Sequence, residues 1–179
     1  MKTSTIDLRR YFSPVFGTSP WRVKLGVGSF LTFEFGPRVR ANHHIHGKWH
    51  LWIYLSNWKL SRRERPLVDS DSDRRGIEAA ARRLEGLSFT DIKFQNRSRE
   101  TAFLFGDFRL VVSPADYIEN PDSRDYFWMF FMPDDEVLTV GPSGIQVEQG
   151  IARPSSADGG RQEVETHATV GRRQIRLED

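Results

Sequence analysis

The sequence predicts an α+β, mostly β domain: an antiparallel sheet or partly open barrel of about seven to nine strands with one helix, about residues 72–85. Three observations lead to this prediction. Apolar residues alternate with polar ones in many short segments, as in half-buried strands. Glycine and proline separate those segments at short intervals. Only one segment places its apolar residues at helical spacing.

The chain divides into three parts. Residues 1–20 contain Pro14, Gly17 and Pro20, which predicts a loosely ordered N-terminal lead-in. Residues 21–149 are expected to form a single β-rich domain, and 179 residues suit one domain with a sizeable core. Residues 150–179 are rich in serine, glycine and scattered charges without periodicity, which predicts a flexible C-terminal tail.

The first half of the domain contains the predicted central strand. Two short alternating segments come first, followed by a polar, histidine-rich loop over 38–48. The strand itself is predicted over 49–60. Trp49, Leu51 and Ile53 share one of its faces, whereas Trp52, Tyr54 and Trp58 share the other. Because both faces are largely apolar, we expect both to be covered.

The helix and a series of hairpins follow. Asp71, Ser72 or Asp73 can cap the start of the helix, and Gly86 ends it. Gly106-Asp107 predicts a two-residue hairpin turn between apolar strands. Two further turns are predicted at 133–135 and 141–144, flanking the strand 137–140.

Composition limits the location and the chemistry. The chain contains no cysteine, which excludes disulfides and thiolate nucleophiles and fits a reducing compartment. Residues 1–10 lack the apolar core of a signal peptide. No apolar stretch approaches the ~20 residues of a membrane span. We therefore expect a cytoplasmic protein without a membrane partner, whose oligomeric state the sequence leaves open.

Three strings of residues stand out: residues 28–36 (GSFLTFEFG), residues 47–54 (GKWHLWIY) and residues 137–142 (VLTVGP). Together they resemble a family of small uncharacterised bacterial proteins. The resemblance covers about residues 26–145, and it implies a compact bacterial domain without implying an activity. By analogy, small β-rich bacterial domains often act as immunity proteins or as accessory binders.

A protein-binding module is the first functional hypothesis. The chain is rich in aromatic residues, and it lacks a nucleophile elbow, a phosphate-binding loop and any other coherent catalytic set. Its net charge of +2 divides into +9 through Arg65 and −7 beyond it. A protein partner is therefore expected to contact the second face of the central strand and the basic residues after it. The predicted contact residues are Trp52, Tyr54, Trp58, Arg62 and Arg63.

A metal-dependent hydrolase is the second hypothesis. Four histidines, His43, His44, His46 and His50, fall in one short stretch. His44, His46 and His50 have the same parity, so a strand would direct all three imidazoles to one side. Three nitrogen ligands with one open position suit a hydrolytic zinc site. A solvated polar loop with one packed histidine explains the same pattern.

Nucleic-acid binding is the third hypothesis. Basic groups beside exposed aromatic rings bind single strands by contacting phosphates and stacking on bases. This hypothesis requires the aromatic side chains of the central strand to be exposed, whereas core packing is the alternative use of such rings. The basic residues concerned are Arg38, Arg40, Lys48, Arg62, Arg63 and Arg65.

Overall fold

Two open antiparallel sheets make up most of the protein. The structure is a computed structural model that describes residues 7–41, 44–115, 125–149 and 172–174. Its strands are β1 Arg22–Leu25, β2 Leu31–Ala41, β3 His44–Ile53, β4 Ser56–Arg62, β5 Arg65–Asp69, β6 Phe89–Gln95, β7 Glu100–Phe105, β8 Phe108–Pro114, β9 Trp128–Phe131, β10 Glu136–Gly141, β11 Gly144–Gln149 and β12 Arg172–Gln174. Its helices are α1 Arg9–Phe12 and α2 Arg74–Arg82, and single 3₁₀ turns lie at Ser13–Val15 and Pro133–Asp135.

The strands are divided between sheet A and sheet B. Sheet A has the order β1-β2-β3-β9-β10-β11-β12, and sheet B has the order β5-β4-β8-β7-β6. Neither sheet closes into a barrel within the described ranges, because β1 and β12 form the edges of sheet A and β5 and β6 form those of sheet B. The mostly β class and the open antiparallel architecture are confirmed.

The described residues contain more strands than the predicted seven to nine. One reason is that the single strand predicted over 49–60 is two strands, β3 and β4. The histidine-rich segment 38–48, which was expected to be a loop, lengthens two strands without adding one. Its described residues, 38–41 and 44–48, continue β2 and β3 as a two-stranded ribbon, with Arg38 opposite Gly47 and Ala41 opposite His44. Polar residues fit there because the ribbon extends beyond the apolar core, so its strands have no apolar face to bury.

Sheet B is built from one continuous stretch of chain. Residues 56–114 contribute all of its strands, as well as α2. The predicted Gly106-Asp107 turn is confirmed, because Phe105 and Phe108 pair directly across it and Gly106 has a positive φ of 54°. Sheet A, in contrast, brings β3 beside β9, although the whole of sheet B lies between them in the sequence.

The hydrophobic core contains aromatic residues from both sheets. Phe33 of sheet A stacks on Phe105 of sheet B with ring centroids 5.5 Å apart. Trp128 of sheet A meets Phe103 of sheet B edge-on at 5.4 Å. All four side chains are fully buried.

The N-terminal segment is part of this core, contrary to the expected loose lead-in. Leu8, Phe12 and Val15 are buried, with Phe12 0% exposed. The Phe12 ring stacks on Phe130 at 4.0 Å and lies 5.7 Å from Phe89. Pro14 does not prevent this packing, because it occupies the start of the 3₁₀ turn, where its fixed φ and missing N–H are tolerated.

The predicted single strand over 49–60 is two strands in different sheets. The chain turns at Tyr54–Leu55, where the Ser56 amide donates to the Tyr54 carbonyl over 2.8 Å. This tight turn takes the chain from β3 in sheet A to β4 in sheet B. The common face expected for Trp52, Tyr54 and Trp58 therefore does not form.

Helix α2 lies within the predicted helical range, and Asp73 is its cap. The Asp73 carboxylate accepts a hydrogen bond from the Gly76 amide at 3.0 Å. Ile77, Ala80 and Ala81 form the buried face of the helix, as their spacing predicts. No described helix has the length and apolar character needed to cross a membrane.

The expected C-terminal tail lies mostly outside the described residues. Its one described piece is β12, in which Arg172 pairs with Glu148 and Gln174 pairs with Gln146 at the edge of sheet A.

Candidate functional site

The face of sheet A that points away from sheet B, called here the outer face, carries most of the predicted site residues. One row of cross-strand neighbours crosses this face from Glu34 through His50, Phe131 and Val137 to Glu148. Both carboxylates and the imidazole are buried, with Glu34 3%, His50 7% and Glu148 3% exposed. Buried ionisable groups on a sheet face need specific partners.

Trp52 and Tyr54 lie on this outer face with Phe30. The Trp52 and Tyr54 rings are 4.9 Å apart, and Phe30 lies 4.5 Å from Tyr54. We call these three half-buried rings the aromatic strip. The strip is separate from the main core, because Trp52 and Tyr54 pack on a small cluster of Met129, Phe131 and Val137.

Val27 extends the apolar character of the strip at the β1–β2 turn. It is 69% exposed, the highest value among the large apolar residues that the structure describes as exposed. The Phe30 amide donates to the Val27 carbonyl at 3.3 Å, which keeps the two residues together.

Trp58 is absent from this surface because it belongs to the core. Its side chain is 1% exposed, and its indole N–H donates to the Ser29 carbonyl over 2.7 Å. This bond ties β4 of sheet B to the β1–β2 turn of sheet A. Trp58 therefore does not share a surface with Trp52 and Tyr54.

Arg62 and Arg63 lie elsewhere again, at the β4–β5 turn of sheet B. Both are exposed and pair with Asp107, at 3.9 Å for Arg62 and 2.9 Å for Arg63. The Arg62 guanidinium also lies 5.4 Å from the centre of the Phe108 ring. The five predicted contact residues thus occupy the aromatic strip, the core and the end of sheet B, not one surface.

A buried polar cluster connects β1, β2 and β3. The Glu34 carboxylate accepts hydrogen bonds from His50 Nδ1 at 2.9 Å and from the Gly47 amide at 2.7 Å. Arg22 approaches the same carboxylate at 3.5 Å and also donates to the Ile45 carbonyl. We call Arg22, Glu34 and His50 the Glu34 cluster.

The cluster favours the ionised form of Glu34. Burial by itself raises the pKa of this carboxyl group. The hydrogen bond and charge of His50, the Gly47 amide and the charge of Arg22 act in the opposite direction, and together they lower the pKa of Glu34 below its ordinary value. The carboxylate therefore remains charged and orients the imidazole of His50 through Nδ1.

The described structure does not bring the three histidines of the predicted metal site together. His44, His46 and His50 do share one face of β3, as their parity predicts. A strand rises about 3.3 Å per residue, however, so His44 and His50 lie about 20 Å apart along it. Within the described ranges no three His, Asp or Glu side chains are grouped closely enough to hold a metal ion. His43 lies outside those ranges.

His50 is committed to the fold instead. Its Nδ1 is bonded to Glu34, and its ring meets the edge of Phe131 at 5.6 Å. A carboxylate–imidazole pair can orient a catalytic or metal-bound histidine. Here the same pair fixes β2 to β3 below the ribbon.

The two-stranded ribbon of residues 38–41 and 44–47 carries two arginines and no acidic residue, and we call it the basic ribbon. No acidic residue occurs between Glu34 and Glu64 in the sequence. Arg38 and Arg40 are exposed, as are Val39 at 39% and Ile45 at 40%.

Two glycines shape the base of the ribbon. Gly36 has a positive φ of 70° and lies at a bulge between Phe35 and Arg38. Gly47 packs so closely on β2 that an added Cβ would lie 2.6 Å from the Phe35 nitrogen and 2.8 Å from the Trp49 oxygen. Only glycine fits at position 47.

Three features of this region were missed in the sequence, and one of them, Glu34, left a signal there. Glu34 is the only acidic residue between Asp7 and Glu64, and it lies within an apolar segment, which is typical of a buried carboxylate with a partner. Phe30 is the other missed member of the aromatic strip. Trp21 is the third: Arg22 and Arg38 each stack on its ring at 4.7 Å.

No family model, curated protein or solved structure matches this chain. The resemblance carried by residues 28–36, 47–54 and 137–142 therefore stays a prediction from the sequence.

Proposed function

We propose that this protein is a small bacterial protein-binding module, immunity-like or accessory to a larger system, that recognises its partner through the aromatic strip. The supporting observation is the cluster of three half-buried rings, Phe30, Tyr54 and Trp52, next to the exposed Val27. Tryptophan and tyrosine are enriched at protein interfaces because they add large contact areas at low entropic cost.

The chemistry of the strip indicates the kind of contact. The Trp52 and Tyr54 rings pack on Met129 and Phe131, so little freedom of these two side chains is lost on binding. An apolar side chain of the partner is expected to insert against Tyr54 and Trp52. A metal-dependent reaction has less support, because the histidine set predicted for it is spread along β3 and His50 is held by Glu34.

Co-purification with strip variants tests this proposal. Tagged wild-type protein and the double variant Trp52→Ala/Tyr54→Ala are passed through lysate of the source cells, and retained proteins are compared by quantitative mass spectrometry. We expect one specific partner on the wild type and at least about a thirtyfold loss on the double variant, as for interface tryptophans that contribute about 2 kcal/mol.

Phe94→Ala is the matched control, because Phe94 is a half-buried aromatic residue on β6 of sheet B. This variant should retain the partner. Equal retention by the double variant, or the absence of any specific partner on the wild type, contradicts the proposal. Circular dichroism of each variant establishes that the fold is intact.

A further inference from the structure

The basic ribbon presents an edge that its neighbouring strand leaves uncovered. β2 is 11 residues long, whereas β1 has 4 residues and pairs only with Leu31 to Glu34. Trp21 closes the next part of this edge, because its indole N–H donates to the Gly36 carbonyl at 3.1 Å. Beyond it, no described strand lies beside Arg38, Val39 and Arg40 on the side away from β3.

The edge is held in a fixed position. Glu34 binds the Gly47 amide at 2.7 Å, and Arg22 donates to the Ile45 carbonyl, so both contacts join the ribbon to the sheet. Arg38 stacks on the Trp21 ring at 4.7 Å, which limits the motion of its side chain. A strand that is already extended loses little entropy when another strand pairs with it.

The side chains of this edge alternate in chemistry. Successive residues of a strand point to opposite faces, so Arg38 and Arg40 lie on one face of the ribbon and Val39 lies on the other. All three are exposed. A complementary strand would carry carboxylates on one face and apolar side chains on the other.

We propose that the Arg38–Arg40 edge binds an acidic segment of a partner protein as an added β-strand. Backbone hydrogen bonds to the edge supply affinity, and ion pairs to the two arginines select the sequence. This inference rests on the proposed function, since it names the chemistry of a protein partner. It concerns a different surface, about 17–23 Å from the aromatic strip along β3.

The charge and the apolar residues of this edge disfavour two other occupants, a second copy of this chain and nucleic acid. A second copy of this chain would bring arginine against arginine, and like charges on neighbouring strands are destabilising. Nucleic acid would leave Val39, 39% exposed on the face opposite to the two arginines, without an apolar contact. An extended acidic peptide with apolar residues at alternate positions satisfies both faces.

A labelled octapeptide of alternating glutamate and valine is the probe, and fluorescence anisotropy with the full chain is the measurement. The second peptide alternates glutamate and proline, which keeps the charge but removes half of the backbone donors. We expect the glutamate–valine peptide to bind at least about tenfold more tightly than the glutamate–proline peptide. If charge alone drove binding, the two peptides would bind with equal affinity, and that result would overturn the proposal.

Charge-reversal variants locate the site. Arg38→Glu/Arg40→Glu should weaken binding of the glutamate–valine peptide by at least about tenfold, because two attractive pairs become repulsive. Arg62→Glu/Arg63→Glu is the matched control at the end of sheet B and should bind as the wild type does. Equal loss in both variants, or no measurable binding to the wild type at low salt, overturns the proposal.

A labelled single-stranded oligonucleotide with the same net charge completes the experiment. Tighter binding of the oligonucleotide than of the glutamate–valine peptide assigns the ribbon to nucleic acid and overturns the proposal. The two proposals can fail separately, because peptide binding is measured directly. If the peptide does not bind but the strip still retains a partner in the co-purification, only the proposal for the Arg38–Arg40 edge is wrong. If the peptide binds but the co-purification finds no strip-dependent partner, only the proposed role of the strip is wrong.

Discussion

Glu34 shows how much one buried carboxylate can organise. It binds the imidazole of the neighbouring strand and the amide of Gly47, and it attracts Arg22 from the strand on its other side. Leaving these donors without their acceptor would cost more than a typical hydrogen bond contributes, because buried polar groups then lose their solvation without compensation. Position 34 is therefore expected to be sensitive to substitution and to pH.

Glu34→Gln should reduce stability in a pH-dependent way. The pKa of Glu34 is lowered in the folded protein, so its ionised form stabilises the native state above the ordinary glutamate pKa of about 4.3. This stabilisation is lost as the pH falls through the lowered folded-state value. We expect a loss of about 2 kcal/mol in the variant near neutral pH, shrinking in acid, as measured by urea unfolding.

Glu78→Gln provides the comparison for this measurement. Glu78 forms an exposed ion pair with Arg74 at 3.0 Å along α2, and such pairs contribute about 0.5 kcal/mol or less. A stability difference between wild type and Glu34→Gln that stayed constant from neutral to acid pH would contradict the role given to the charge of Glu34.

Gly47→Ala should be strongly destabilising, because the new Cβ would collide with backbone atoms of Phe35 and Trp49 that have no room to move. We expect a loss of more than about 2 kcal/mol in free energy of unfolding. In Gly26→Ala the nearest atom to the new Cβ is the Phe30 Cβ at 3.5 Å, an ordinary contact, so a change within about 1 kcal/mol is expected. Similar losses in both variants would show that close packing at Gly47 is not the cause.

At the scale of elements, local chemistry predicted the turns better than the long strand. The Gly106-Asp107 hairpin and the α2 cap depend on residues that are neighbours in the sequence, so their signals are complete within a few positions. The change from β3 to β4 occurs within one apolar run, in which Tyr54 and Leu55 do not interrupt the alternation. Periodicity shows which residues share a face only while the chain remains in one sheet.

The cap of α2 gives a prediction at this scale. Asp71, Ser72 and Asp73 were equivalent candidates in the sequence, but only the Asp73 carboxylate binds the Gly76 amide. Asp73→Ala should therefore cost about 1 kcal/mol. Asp71→Ala should change stability by less than about 0.5 kcal/mol, because its side chain is exposed. Chemical denaturation distinguishes the two, and a larger loss in Asp71→Ala would contradict the assignment.

For the whole molecule, the fold class was predictable from the sequence, whereas the extent of the hydrophobic core was not. Alternation and turn residues are sufficient to predict an open, mostly β fold. The incorporation of residues 8–15 was missed because this segment is short and interrupted by Pro14, so it has no periodic pattern of its own. Its burial depends on rings from distant strands, such as Phe89 and Phe130, which a local pattern cannot show.

Phe12→Ala tests the contribution of this segment. The ring is 0% exposed and contacts aromatic side chains of both sheets, so we expect a loss of about 3–5 kcal/mol in free energy of unfolding, measured with urea. Arg10→Ala, on an exposed position of the same helix, should stay within about 1 kcal/mol of the wild type. Equal effects in the two variants would mean that α1 adds little to the core.

The chain order of the two sheets has a kinetic consequence. Sheet B forms from one uninterrupted stretch, in which β4 with β5, β6 with β7 and β7 with β8 pair across short connections and only β4 with β8 closes a longer loop. Sheet A must bring Ile53 to Trp128 across everything between them, which is entropically slower. Refolding monitored by pulsed amide hydrogen exchange should show protected amides in β7 and β8 before it shows protected amides where β3 pairs with β9.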